Sequence, residues 1–226
     1  MVKVENIETS GWQAAIRGMR NPKNSWDKSD SNWGFDENGV FHEIILGPND
    51  LDLACRLIKA GPEHRKFLRM IHIQMDITSP MFWWSEFDTY KVATTRDSCS
   101  KMHKIHTKFF QLSDFACEGC DEVPYAMDVL EDVLDICERL RNDYNKTNDR
   151  KYWRALIELL PESYLMKATW DGSLETVLSI LHQRDHHKLK EEWEPFRQEC
   201  FDNIPYCKEF YEALYGKEEN NAYFEI

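Results

Sequence analysis

No run of apolar residues in this chain approaches the roughly 20 that a membrane-spanning helix needs, and no basic, apolar leader opens it. The expectation is a cytoplasmic protein with no membrane partner. Positive charge is also short, with 28 Lys and Arg against 40 Asp and Glu and a net charge of −12. Such a field repels polyanions, which makes nucleic acid a poor partner. A single small nucleotide is another matter, because a pocket needs only a few well-placed cations. Internal repeats and low-complexity tracts are absent. The seven cysteines are odd in number and scattered over 226 residues, which argues against a disulfide frame and for reduced thiols. With 42% hydrophobic residues the chain can bury one substantial core. A single domain over 1–226 is the expected organisation.

VKVENIE alternates as a half-exposed strand does, and SGWQAAIRGMR follows as a short helix with Ser10 as a candidate cap. Residues 21–39, NPKNSWDKSDSNWGFDENG, form an expected long loop with two tryptophans, either closing over a ligand or packing on the surface. GPNDLDLACRLIKAG has helical spacing, with Asn49 or Asp50 as cap and Gly61 as stop. RMIHIQMDIT has the period of a strand with one buried face. In FWWSEFDTYK, which Pro80 is placed to open, Trp83, Phe87 and Tyr90 share one helical stripe, so most of these rings are expected in the core. The second half is almost all helical, with SYLMKATW as a strand and 216–226 as a polar tail expected to fray.

YKVATTRDSCSK puts three cations, four small hydroxyls and a thiol into twelve residues, a mixture that suits phosphate and ribose or, equally, a solvated loop. Tyr90 either stacks on a ligand or finishes the core stripe. Cys99 could act as a nucleophile with His103 or His106 as base and Lys101 beside it, but lacks an identified orienting third group. His103 and His106 with Cys117 and Cys120 have the pair spacing of a zinc site, which remains a minor alternative. His182, His186 and His187 surround Arg184, where a nucleotide-facing or solvated role outweighs a metal.

The run LLPESYLMKATWDGSLETVLSILHQR resembles the C-terminal half of the flavin-dependent thymidylate synthases, the ThyX family. There a Leu-Pro opens a strand, a leucine-rich helix follows, and an arginine closes it. Leu160, Pro161 and Arg184 stand at that spacing, and KEEWEPFRQECFDNIPYCKEFYEAL is similar to the family's closing helices. RMIHIQMDITSPMF resembles the strand entering its signature helix, so that 47–215 carries the likeness best. The signature R-H-R-x-x-S-x-N-E-x-S-x-R-Y falls on residues 89–102 and is largely replaced. Thr89, Tyr90 and Lys91 open it, Thr94 stands for serine, Arg96 and Asp97 for Asn-Glu, Cys99 for serine, and Lys101 and Met102 for Arg-Tyr. The family's flavin-binding asparagines and histidine fall on Ser173, Ser179 and Lys188.

The resemblance implies an α+β fold with a small antiparallel sheet flanked by many helices. It also implies a homotetramer with active sites between subunits, in the nucleotide metabolism of a bacterium or a phage. FAD would be the cofactor, with NADPH and methylenetetrahydrofolate supplying electrons and the one-carbon unit for a pyrimidine nucleotide. On this registration Lys91, Arg96, Asp97, Ser98, Cys99, Lys101 and Arg184 are the expected nucleotide contacts. Tyr90, Thr94, Thr95 and His182 are the expected cofactor contacts, and no catalytic residue or metal is assigned. A non-catalytic descendant that binds a nucleotide or a protein partner is the alternative.

Overall fold

The computed structural model describes residues 2–35, 38, 39 and 41–216, so of the tail expected to fray only Gly216 is described. Six strands and ten α-helices follow one another among the described residues. The first half holds β1 (Lys3–Ser10), α1 (Trp12–Arg20), β2 (Asn32–Phe35), β3 (Phe41–Ile45), α2 (Pro48–Ala60), β4 (His72–Pro80), α3 (Met81–Phe87), β5 (Thr95–Ser98) and α4 (Lys101–Lys104). The second holds α5 (Glu118–Asp121), α6 (Pro124–Thr147), α7 (Arg150–Leu159), β6 (Leu165–Ser173), α8 (Leu174–Gln183), α9 (Lys190–Asn203) and α10 (Cys207–Tyr215). Strands β1, β4, β6 and β5, in that order, make a four-stranded antiparallel sheet, and β2 pairs with β3 as a hairpin. This is the expected α+β class. Among the described residues no helix is long and apolar enough to cross a membrane. Contacts divide the chain into two compact units.

One unit holds the residues up to Glu5, Asp76–Lys91 and Arg96–Trp170. Its helical core forms because Leu130, Leu134 and Cys137 of α6 fall on one face and close on Leu156 and Leu160, with Ile105 and Phe115 beneath. Helix α3 starts at Pro80 without a side-chain cap. Its first N–H groups are satisfied by backbone instead: Met81 donates to the Tyr164 carbonyl at 3.1 Å and Phe82 to that of Glu162 at 3.2 Å. Trp83 stacks on Phe87 with 4.7 Å between centroids, and Trp170 meets Phe87 edge-on at 5.6 Å. Trp83 and Phe87 are buried, as the stripe predicts, and Trp84 beside them is buried too. On β6, Met166, Ala168 and Trp170 point inward. Outside, Thr169 donates to Asp76 Oδ1 at 2.6 Å and the Lys167 ammonium lies 3.1 Å from Asp76 Oδ2.

The other unit holds Asn6–Met75, Val92–Thr95 and the residues from Asp171 onward. Here two expected caps give way to others. Ser10 ends β1, and α1 is capped by Gly11 at φ +86°, where a Cβ would come within 2.0 Å of the Met70 carbonyl oxygen. Helix α2 is preceded by Gly47, with Pro48 in its first turn, and Asn49 and Asp50 lie inside it. Its orphan donors are capped from a distance: Asp30 accepts from Asn49 N–H at 2.9 Å and from Asp50 N–H at 3.0 Å. A Cβ on Gly47 would meet the Asp30 carboxyl carbon at 2.2 Å, so this approach requires glycine.

Asp50 itself is fully buried and takes Arg20 Nε at 2.6 Å, the hydroxyls of Ser29 and Ser31, and the N–H groups of Asp30 and Ser31. These bonds fold the expected loop 21–39 into two single-turn 3-10 helices, Asn21–Lys23 and Trp26–Lys28, followed by β2. Burial is the largest single influence on the Asp50 carboxyl and pushes its pKa up. The Ser31 and Ser29 hydroxyls and the Arg20 guanidinium together outweigh it, so the net shift is downward.

Asp50→Ala strands a buried guanidinium, and the expected outcome in urea unfolding is a loss of about 3–5 kcal/mol. Because the folded-state pKa is depressed, the Asp50 contribution is complete above the unfolded value of about 3.9 and drains away as pH falls through the folded one. Unfolding free energies unchanged within about 1 kcal/mol would contradict this role.

Candidate functional site

In the unit that contains α3, the edge strand β5 is tied down from both ends. The Arg96 guanidinium lies 4.7 Å above the Trp84 ring, and its Nη1 approaches Asp88 Oδ2 at 3.0 Å, an ion pair without hydrogen-bond geometry. Trp84 Nε1 donates to the Met166 carbonyl at 2.9 Å. Just beyond β5, Cys99 N–H donates to the Lys167 carbonyl at 3.0 Å. Ser100 then caps α4 by accepting from His103 N–H at 3.3 Å.

This geometry opens a hollow of about 370 Å³ whose wall carries Cys99, Ser100, Lys101, Lys104, Phe109 and Tyr164, with Thr78, Thr107, Ser113 and the Lys108–Asp114 pair completing it. The cations differ in how they are compensated. Lys108 is 2.6 Å from Asp114, and Lys167 is 3.1 Å from Asp76. Lys101, by contrast, rests 2.9 Å from the Met81 thioether, a weak acceptor. Burial first, then repulsion from Arg96, pulls its pKa below the ordinary lysine value, with Glu162 pulling weakly the other way. Burial also raises the Tyr164 phenol pKa, so that it remains a neutral hydrogen-bond donor.

Of the residues expected in a nucleotide site, the hollow gathers Cys99 and Lys101, and Arg96 acts on Lys101 from close by. Lys91 and Asp97 are exposed, and the alternation of β5 puts Asp97 on the face opposite Arg96 and Ser98. Tyr90 stands edge-on to Phe87 at 6.2 Å, finishing the core stripe. Thr94, Thr95, His182 and Arg184 belong to the other unit. There Arg184 ends α8 and lies 4.9 Å over the Trp193 ring, while His182 stacks on Tyr215 at 3.8 Å.

A larger hollow of about 520 Å³ runs along α9 past Lys190, Glu194, Arg197 and Phe201. It mixes both charges on one helix, and Arg197 is held by Asp185 at 2.6 Å. It therefore offers little net charge to an anion.

Two chemical readings of the sequence lose support. Cys99 has no hydrogen bond to His103 or His106, and the His106 ring packs edge-on against Tyr144 at 5.1 Å with a buried, unbonded Nδ1. Among the described residues no group of three or more His, Cys, Asp or Glu is arranged to hold a metal, so His103, His106, Cys117 and Cys120 do not form a zinc set. Lys104, Lys108, Phe109 and Tyr164 escaped sequence reasoning. The signal for the first two was present: Lys101, Lys104 and Lys108 recur at i, i+3 and i+7.

No protein-family model and no curated protein sequence matches the chain. Solved structures do. Thymidylate synthase X (ThyX) from Helicobacter pylori with FAD and dUMP is 15% identical at a TM-score of 0.67, over 95% of this chain and 100% of that one. A second Helicobacter pylori ThyX complexed with FAD and dUMP gives 16% and 0.66, over 94% and 99%. The UMP/dUMP methylase PolB from Streptomyces cacaoi bound with 5-Br dUMP gives 12% and 0.66, over 94% of each chain. The chain thus has the ThyX fold at a sequence distance that leaves its chemistry to its own residues.

Proposed function

We propose that the hollow beside Lys101 binds a pyrimidine nucleotide, and that the chain is a thymidylate-synthase-like protein that supports one-carbon transfer to that nucleotide. The observation that carries this reading is a hollow lined by weakly compensated ammonium groups, hydroxyls and aromatic rings in a chain of net charge −12. Lys101 would meet the phosphate and the hydroxyls the ribose, while the rings keep water from the base. The fold likeness to proteins solved with dUMP or its bromo analogue lends the pyrimidine.

The cofactor fits less well. A flavin would draw on Tyr90, Thr94, Thr95 and His182, yet the Tyr90 ring packs against Phe87, a face of His182 is covered by Tyr215, and the set lacks an arginine or lysine. These residues do not make a flavin cradle within either unit. That misfit favours a second reading, a non-catalytic ThyX-fold protein that binds a nucleotide. FAD, NADPH, methylenetetrahydrofolate and a homotetramer with shared sites belong to the first reading alone.

Calorimetry with dUMP on the purified chain is expected to give saturable, salt-sensitive binding, and no heat at millimolar dUMP would end both readings. Absorption in the flavin region that bleaches with NADPH selects the enzyme. A colourless protein that ignores added FAD but binds dUMP selects the binder.

The depressed Lys101 pKa sets a direction for pH dependence. The ammonium is lost as pH rises through a value below that of an ordinary lysine. Affinity for dUMP should therefore fall on the alkaline side earlier than a surface lysine would dictate, and Lys101→Gln should flatten that limb. An alkaline limb identical in Lys101→Gln assigns the titration elsewhere.

A further inference from the structure

The hollow extends past the register of the signature into the segment Lys104–Phe110, which nothing in the likeness to ThyX proteins assigns. Phe109 lines the hollow yet is 55% exposed, a large ring left facing water. Its position is enforced from behind. Arg141 Nη1 and Asn145 Nδ2 of α6 donate to the His106 carbonyl at 3.3 and 3.0 Å, and Glu138 accepts the Phe110 N–H at 3.2 Å. Glu138 is fixed in turn by a short bidentate pairing with Arg141 and by Asn142. The backbone on both flanks of Phe109 is therefore clamped to one helix, so the chain that presents its ring needs little further ordering when a ligand arrives. Lys104 sits one helical turn from Lys101 on the same wall, exposed and without a carboxylate partner among the described residues.

We propose that this clamped segment is the nucleotide's second grip, with Lys104 sharing the phosphate with Lys101 and the Phe109 ring stacking on the base. The inference rests on the reading that the hollow binds a pyrimidine nucleotide, and it assigns a division of labour within it. Two weakly compensated ammoniums oppose a dianionic monophosphate, since Lys108 and Lys167 already face Asp114 and Asp76. A stacked ring adds affinity without reading the base edge.

The test compares dUMP, deoxyuridine and inorganic phosphate on the full chain and on three variants at two exposed positions. Phe109→Ala should weaken dUMP and deoxyuridine alike, by about ten-fold or more, and leave phosphate unchanged. Lys104→Gln should weaken dUMP and phosphate, spare deoxyuridine, and lower the salt dependence of dUMP binding. Phe109→Trp should keep dUMP affinity within about three-fold and add an emission signal that dUMP changes. If the unaltered chain binds no dUMP, the functional reading itself fails. If it binds dUMP and all three variants match it, with no change in the added tryptophan signal, this inference fails and the reading stands.

Discussion

Trp84 gives its one N–H to the carbonyl of Met166 in the interior, and its ring receives the guanidinium of Arg96. The first contact satisfies the buried indole N–H, which would otherwise lack an acceptor in an apolar setting. The second presses β5 onto the aromatic helix. Cys99, Ser100 and Lys101 follow directly from that strand, so the wall of the hollow takes its position from one indole. The carbonyls of Glu162 and Tyr164 reinforce the arrangement by capping α3. Tyr164 thus joins the scaffold through its backbone and the hollow through its side chain.

Charge at the hollow is a matter of compensation rather than count. Four lysines line it, and two are neutralised by carboxylates within ion-pair distance. Lys101 is different because its neighbours are a thioether and a like-charged arginine. An ammonium in that setting, with only Glu162 attracting it weakly, gains when an anion arrives, which is the role the proposed reading gives to the nucleotide phosphate. Arg20 is the contrast: more deeply buried than Lys101, it is met by the Asp50 carboxylate, which two serine hydroxyls and two backbone N–H groups also engage, and it stabilises the fold.

How much of this could be read in the sequence depended on range. The inward face of β4, the strand β6 and the buried face of α6 were legible because period two and period 3.6 are local properties. The aromatic stripe was legible for the same reason. The cap of α2 was not, since Asp30 reaches it across twenty residues of chain that looked like a loop. The clamp on Phe109 was equally hidden: it joins His106 and Phe110 to residues 28 to 39 positions away. Registration with the signature led to Cys99 and Lys101 but stopped at residue 102, two residues short of Lys104.

A TM-score near 0.66 at 12–16% identity means that the ThyX backbone tolerates almost complete exchange of its side chains. Cores permit this when volume and pattern are kept. Binding sites are less forgiving, because a bidentate arginine cannot be replaced in kind by a lysine. A lysine is a point charge, so a site that exchanges arginine forks for ammoniums loses fixed angles and must regain orientation from something else. On the proposed reading Phe109, whose neighbouring backbone is clamped, would supply that: its ring would set the plane of a ligand while the ammoniums meet only its charged end.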